Sequence, residues 1–151
     1  MKPPPKGWPR ISTTLFYEDR AGAIDWLTRA FGFDIRLKVE GDGGRGRIEH
    51  SELGYGEGPI MVGGTGKCTG GPDNAYQHAP SNLRGANTQV MCVHVDAVDA
   101  HCAQAENAGS KIVRALTTTD YGADYWTDRT YECVDPEGHH WYFMQRLSGT
   151  Q

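Results

Sequence analysis

Apolar and polar residues alternate through several short runs of the chain, and apolar residues recur at helical spacing in two longer ones. RISTTLFYED, residues 10–19, alternates and is rich in β-prone residues, which predicts a strand. Asp19 then stands where a helix N-cap belongs. In AGAIDWLTRAF, Ile24, Leu27 and Phe31 fall at helical spacing, and Gly32 fits the position just past the helix end. DIRLKVE alternates again, with Ile35, Leu37 and Val39 expected on one face. GDGGRG reads as a turn. RIEHSELGYG and PIMVGG complete a β-α-β-β-β order.

The second half repeats this order. TQVMCVHVD predicts a strand with Met91, Val93 and Val95 on one face. AVDAHCAQAENAG predicts a helix, with Asp96 and Asp99 as its N-terminal signal, a stripe of Val98, Cys102 and Ala105, and Gly109 as its end. KIVRALTTTDYG and DRTYECVD read as strands, PEGH as a turn, and HWYFMQRL as the last strand. Asp19 and Asp96 hold matching places between a strand and a helix. The chain therefore divides into two copies of one unit. Their bounds are residues 10–63 and 87–147, within a single domain covering 1–151.

Residues 64–86 join the two modules and are rich in Gly, Pro and Asn without periodicity. Connections of this length inside a compact domain are usually functional or linkers. GTGK within this stretch does not make a phosphate loop. Met61 stands where the first glycine should be, and Cys68 replaces the Ser or Thr that would hold magnesium.

Composition narrows the function classes. With 151 residues, 38% hydrophobic and 23% charged, the chain is globular and the size of one domain. A net charge of −4 argues against nucleic acid as a partner. No apolar run approaches the roughly 20 residues of a membrane span. MKPPPKGWPR lacks the apolar middle of a signal peptide and reads as an extended proline-rich arm. A cytoplasmic location is the expectation. Cys68, Cys92, Cys102 and Cys133 form no CxxC pair, so a structural zinc site is not expected; reduced, mostly buried thiols are.

YEDRAGAIDWLTRAFGF, EHSELGYGEGPIMV, VHVDAVDA, AENAGSKIV and VDPEGHHW, in this order, carry a resemblance to the vicinal oxygen chelate superfamily. That superfamily holds glyoxalase I, extradiol dioxygenases and bleomycin-resistance proteins. HSEL at 50–53 and AFGF at 30–33 point to its bacterial glyoxalase-like branch. The resemblance implies an α+β fold in which two tandem β-α-β-β-β modules form a cup-shaped mixed sheet. It also implies a homodimer and a small organic molecule in the cup.

Strand alternation sorts the side chains. Thr13, Leu15, Tyr17, Ile60, Val62, Met91, Val93, Val95, Trp141 and Phe143 are expected to face the helices. Ser12, Thr14, Phe16, Met61, Gly63, Val90, Cys92, His94, His140, Tyr142 and Met144 are expected on the other face, with His50 and Glu52 beside them. The metal-ligand places that the resemblance implies fall on Ser12, Met61, Val90 and Tyr142. None is a His or carboxylate, so neither a bound metal nor any other cofactor is expected.

His139 and His140 then split across a turn and a strand rather than sharing a metal. His139 is expected to be solvated, and His140 to line or rim the pocket. The ligand-binding candidates are Tyr142, His140, Glu52, His50, Phe16 and Met61, with Tyr125 and Trp126 at the rim or in packing. Aromatic faces beside carboxylates suit an aromatic or cationic ligand. His50 and Glu52 also form a candidate acid–base pair. The leading expectation is a metal-independent small-molecule-binding protein. The alternative is a divalent-metal lyase, isomerase or dioxygenase whose ligands lie among His50, Glu52, His94 and His140. A third is a structural module whose cup its own side chains fill.

Overall fold

A computed structural model describes residues 1–42 and 47–149. The fold is two tandem modules, each a four-stranded mixed sheet with a helix. Residues Met1–Leu83 form the first compact unit and Arg84–Gln151 the second, so the Gly/Pro-rich segment belongs to the first unit as far as Leu83.

In the first unit the elements are β1 (Thr13–Tyr17), α1 (Arg20–Phe31), β2 (Asp34–Glu40), β3 (Ile48–Tyr55) and β4 (Gly58–Gly64). The sheet order is β1-β4-β3-β2, with β1 and β4 parallel and the other pairs antiparallel. The parallel pair follows from the helical crossover and the antiparallel pairs from the short turns. Helix α1 starts as its sequence predicts: the Asp19 carboxylate accepts from the Gly22 amide at 3.0 Å. It ends at Gly32, whose φ of 79° lies in the left-handed region and whose amide donates to the Thr28 carbonyl. Ile24, Trp26, Leu27, Ala30 and Phe31 are buried on α1, and Leu15, Tyr17, Leu53, Ile60 and Val62 are buried on the strands it packs against.

Two details depart from the sequence reading here. Ile35, Leu37 and Val39 do not form one continuous set. Ile35 pairs with Leu53, then the register shifts, so that Leu37 pairs with Glu52 and Val39 with His50. Such a bulge puts an extra residue into one strand and breaks the two-residue period. All three side chains stay more than two-fifths exposed. The proline-rich arm, in turn, is not simply extended. The Trp8 amide donates to the Pro5 carbonyl, and Arg36 of β2 lies over the Trp8 ring and donates to the Gly7 carbonyl. Residues 43–46 of the expected GDGGRG turn lie outside the described residues.

The segment after β4 is not featureless. It holds a one-turn helix α2 (Gly66–Thr69) and short 3-10 turns at Pro72–Asn74 and Pro80–Leu83. Asn, Gln and Thr side chains tie these together, as in the Gln77 amide donating to Asn74 and the Asn74 amide to the Gly70 carbonyl.

The second unit repeats the plan with β5 (Val90–His94), α3 (Val98–Asn107), β6 (Lys111–Asp120), β7 (Trp126–Val134) and β8 (His140–Gly149), in the order β5-β8-β7-β6. Its core is aromatic. Trp141, Phe143 and Tyr131 are buried, Phe143 stacks on both neighbours, and the Tyr131 hydroxyl shares a 2.7 Å hydrogen bond with His101 of α3. Asp96 does not cap α3 as Asp19 caps α1. The N-cap is Ala97, and the Gln145 side chain of β8 accepts from the Val98 amide instead. Asp99, in the first turn, accepts two 2.7 Å bonds from Arg129 of β7. That pairing holds its carboxyl below the usual carboxylate range.

The cysteines divide evenly rather than being mostly buried. Cys102 and Cys133 are buried, while Cys68 and Cys92 are exposed. Burial pushes the Cys133 thiol up to about 12. Among the described residues, no helix is long and apolar enough to cross a membrane.

Candidate functional site

In each module the helix covers one side of the sheet, and the alternate residues lie on the other, open side. On the first sheet this side carries Thr14 and Phe16 from β1, Met61 and Gly63 from β4, and His50 and Glu52 from β3. Thr14 pairs with Met61 and Met61 with Glu52, so the three form one row across the sheet. Gly63 is what lets Phe16 lie flat beside β4, since a Cβ there would come within 2.9 Å of the Phe16 ring. Tyr76, from the segment after β4, meets Phe16 edge-on at 6.0 Å. His50 Nε2 donates to Glu52 Oε1 at 2.9 Å; the Glu52 side chain is only 15% exposed.

The second sheet carries the matching row. Cys92 pairs with Tyr142, Tyr142 with Glu132, and Glu132 with Arg114. Met61 and Tyr142 therefore hold equivalent places in the two modules, and so do Glu52 and Glu132. The two carboxylates are equally sheltered, Glu132 being 16% exposed. Both Glu132 oxygens are engaged: His140 Nδ1 donates to Oε1 at 2.6 Å, and Arg114 Nε forms an ion pair with Oε2 at 2.9 Å. The sequence reading expected Tyr142 and His140 on this side but did not single out Glu132 and Arg114. The signal for Glu132 was present: in TYECV, Tyr131 and Cys133 are buried, which leaves Glu132 on the open side. Arg114 had no such signal, because register shifts flank it on both sides.

The hairpin between β7 and β8 answers what the paired histidines do. His139 is not solvated, as its turn position suggests, but 5% exposed. Asp135 gathers the turn around its carboxylate. It accepts from the Glu137 and His139 amides, from His139 Nδ1 and from Trp141 Nε1, at 3.0 to 3.1 Å. Buried donors require such partners, and here one carboxylate serves them all. His139 is structural, and His140, one residue on, lies on the opposite side with Tyr142.

Tyr125 and Trp126 sit apart from both rows, at the turn between β6 and β7. Tyr125 is 58% and Trp126 36% exposed. Arg146 lies over the Trp126 ring at 4.5 Å and bonds Asp128. A further cavity of about 270 Å³ lies between the start of α1, the start of β3 and α2, lined by Glu18, Arg20, Arg47, Glu49 and Cys68 among others. None of the expected site residues borders it. Burial brings the Arg20 pKa below its ordinary value there, and its guanidinium donates to the Ile48 carbonyl.

The donor chemistry does not fit the metal of the wider superfamily. Met61 and Val90 are poor ligands for a divalent ion, and Tyr142 and Ser12 are weak ones when neutral. Among the described residues, no three His, Cys, Asp or Glu side chains come together in a group able to hold an ion.

Comparison with known proteins places this geometry in context. The model for the Glyoxalase/Bleomycin resistance protein/Dioxygenase superfamily matches residues 11–143. The uncharacterized protein Mb0911c of Mycobacterium bovis is 31% identical over 138 residues, covering 91% of this chain and 83% of that protein. The crystal structure of TioX from Micromonospora sp. ML1 is similar at 31% identity and a TM-score of 0.65, over 95% of this chain and 100% of that one. A glyoxalase/bleomycin resistance protein/dioxygenase family enzyme from Burkholderia phytofirmans PsJN shares the fold at 18% identity and a TM-score of 0.58, over 90% and 97%.

Proposed function

The chain belongs to the glyoxalase/bleomycin resistance protein/dioxygenase superfamily, and from that premise we propose that it binds a small aromatic or cationic organic molecule on the open sides of its sheets, without a metal. The observation that carries this reading is the pair of equivalent rows, Thr14–Met61–Glu52 and Cys92–Tyr142–Glu132. Each sets one sheltered carboxylate beside apolar or aromatic side chains. Phe16 and Tyr142 offer stacking faces, Met61 and Met144 adaptable apolar surface, and Glu52 a carboxylate for a cation. His50 and His140 supply polar contacts that orient the ligand. Tyr125 and Trp126 have a peripheral part in this reading, since Arg146 already occupies the Trp126 face.

A symmetric homodimer belongs to the same proposal, as does a cytoplasmic location. The half-exposed apolar residues of the edge strand β2 support pairing between copies. The bacterial glyoxalase-like branch, signalled by HSEL and AFGF, is the assignment within the superfamily that goes with it.

Two measurements test the reading. Elemental analysis after dialysis should find no stoichiometric nickel, zinc or iron. A thermal-shift screen of aromatic and cationic compounds on metal-free protein should find ligands that raise the melting temperature, because binding to the folded state stabilises it. One tightly held transition metal per chain would favour metal-dependent lyase, isomerase or dioxygenase chemistry instead.

A further inference from the structure

The cavity at the start of α1 takes no part in the function proposed above, and it lies wholly within the first unit. Glu18 and Arg20 border it from the α1 end, Arg47 and Glu49 from the β3 end, and Cys68 from α2. Its volume of about 270 Å³ is that of several water molecules at about 30 Å³ each, so it admits one amino-acid-sized group. The charges around it are unevenly paired. Glu49 pairs with Arg47 at 2.8 Å, Lys67 approaches Glu18 at 3.8 Å, and the Asp19 carboxylate caps α1. Arg20 differs. Its guanidinium donates to the Ile48 carbonyl, a neutral acceptor, and its Nε is buried without a hydrogen-bond partner. A sheltered guanidinium bonded to a neutral group favours the arrival of an anion.

Cys68 stands next to that guanidinium. A Cβ added at Gly64 would lie 3.0 Å from Arg20 Nε and 3.2 Å from Cys68 Cβ, so the missing side chain of Gly64 is what lets the two approach. They interact electrostatically, and Glu49 acts on Arg20 in the same sense. Cys68 Sγ lies 3.3 Å from the Glu18 carbonyl oxygen and 3.6 Å from the hydroxyl of Thr65, a residue only 1% exposed. The thiol donates to the carbonyl. The thiolate can accept from the Thr65 hydroxyl, which otherwise donates to Glu18 Oε1 at 3.2 Å. Both protonation states of Cys68 therefore have a partner, and the residue is exposed. An accessible thiol beside a cation is the setting that favours thiolate attack.

We propose that Cys68 is a site of reversible S-thiolation by a small zwitterionic disulfide, whose amino-acid end the cavity holds. The Cys68 thiolate attacks one sulfur of the disulfide. A new S–S bond forms to Cys68 as the reagent's own S–S bond breaks. The departing thiolate carries away the electron pair of that bond and takes a proton from water. Cys68 is oxidised and the departing sulfur is reduced, so the disulfide is the oxidant and no further reactant is required. The carboxylate of the retained half faces the Arg20 guanidinium, and its ammonium faces Glu18 and Glu49. A lining of both signs selects a zwitterion over a simple anion or a simple cation.

Cystine, cystamine and dithiodiglycolate are the probes: one zwitterionic, one cationic and one anionic disulfide, used at equal concentration and neutral pH. Peptide mass spectrometry of the native protein follows the adduct at Cys68 and, as an internal reference, at Cys92, the other exposed thiol. Cystine should modify Cys68 about tenfold or more faster than Cys92, and dithiothreitol should reverse the adduct. Cystamine and dithiodiglycolate should show a smaller preference for Cys68. Arg20→Gln should remove the cystine preference and leave the Cys92 rate unchanged, whereas Arg20→Lys, which keeps the charge, should retain part of it. Circular dichroism shows whether each variant is folded, and the comparison of the three reagents on wild type decides the matter even if Arg20→Gln does not fold. Equal cystine rates at Cys68 and Cys92, or one preference shared by all three reagents, overturns the site. So does an undiminished cystine preference in folded Arg20→Gln.

Discussion

Trp141 and Tyr142 are neighbours with opposite fates, and they define the register of the last strand. Trp141 is fully buried against Phe143 and donates to Asp135; Tyr142 lies half-buried on the open side. Trp141→Ala should therefore cost about 3 to 5 kcal/mol of stability, the range for removing a buried aromatic ring. Tyr142→Ala should leave stability nearly intact. Chemical denaturation of the two variants decides this, and a reversed order would move the strand by one residue. Glu52→Gln should weaken cationic ligands more than neutral ones, read by titration with matched pairs. Asp19, Gly32, Trp141 and Tyr142 were all legible in the sequence, because caps and strand alternation are local. His139 was not: its burial depends on Asp135 turning its carboxylate inward, and no spacing rule encodes that.

At the scale of elements, the β7–β8 hairpin stands on one side chain. Asp135→Ala would remove the carboxylate that accepts from the Glu137 and His139 amides, His139 Nδ1 and Trp141 Nε1. The expected loss is about 3 kcal/mol, since a hydrogen bond to a charged group contributes about 1.5 to 3 kcal/mol. Thermal melts of Asp135→Ala and Asp135→Asn compare removal with partial replacement, and equal stability of Asp135→Ala and wild type would remove the hub from the account. The same hairpin explains why half of the second row escaped the sequence reading. Glu132 shows itself only once β7 is known to alternate against β8. Arg114 becomes its partner only because two bulges shift β6 relative to β7. Bulges change which residues face each other without leaving a mark in apolar periodicity. For the same reason, the expected one-sided set of Ile35, Leu37 and Val39 did not hold.

At the scale of the whole molecule, the thiols report on folding. Cys68 and Cys92 are exposed and should react with iodoacetamide in the native protein at pH 8, whereas Cys102 and Cys133 should react only after unfolding. Mass spectrometry with and without denaturant reads this directly. The folded-state Cys133 thiol titrates at about 12, above its ordinary value, so the folded protein holds that proton more tightly than the unfolded chain. Its contribution to stability is complete below about pH 9, the unfolded range, and is lost as pH rises toward 12. Cys133→Ala should flatten that alkaline decline in denaturation midpoints. Sedimentation at micromolar concentration should show a dimer, and a monomer would count against the pairing proposed at β2. The repeated β-α-β-β-β order was readable from alternation and two helix stripes. What the repeat equates, Met61 with Tyr142 and Glu52 with Glu132, required the strand pairings.

Metal-free ligand binding centred on Tyr142 is the claim on which the functional account turns. Calorimetric titration of chelator-treated protein with proflavine, a planar aromatic cation, set beside the same titration of Tyr142→Ala, tests it most directly. The account predicts saturable binding that survives chelation and is weakened by about 1 to 3 kcal/mol in the variant, as for the loss of an aromatic anchor. Binding that vanishes on chelation and returns with a divalent metal, or that is unchanged in Tyr142→Ala, would contradict it.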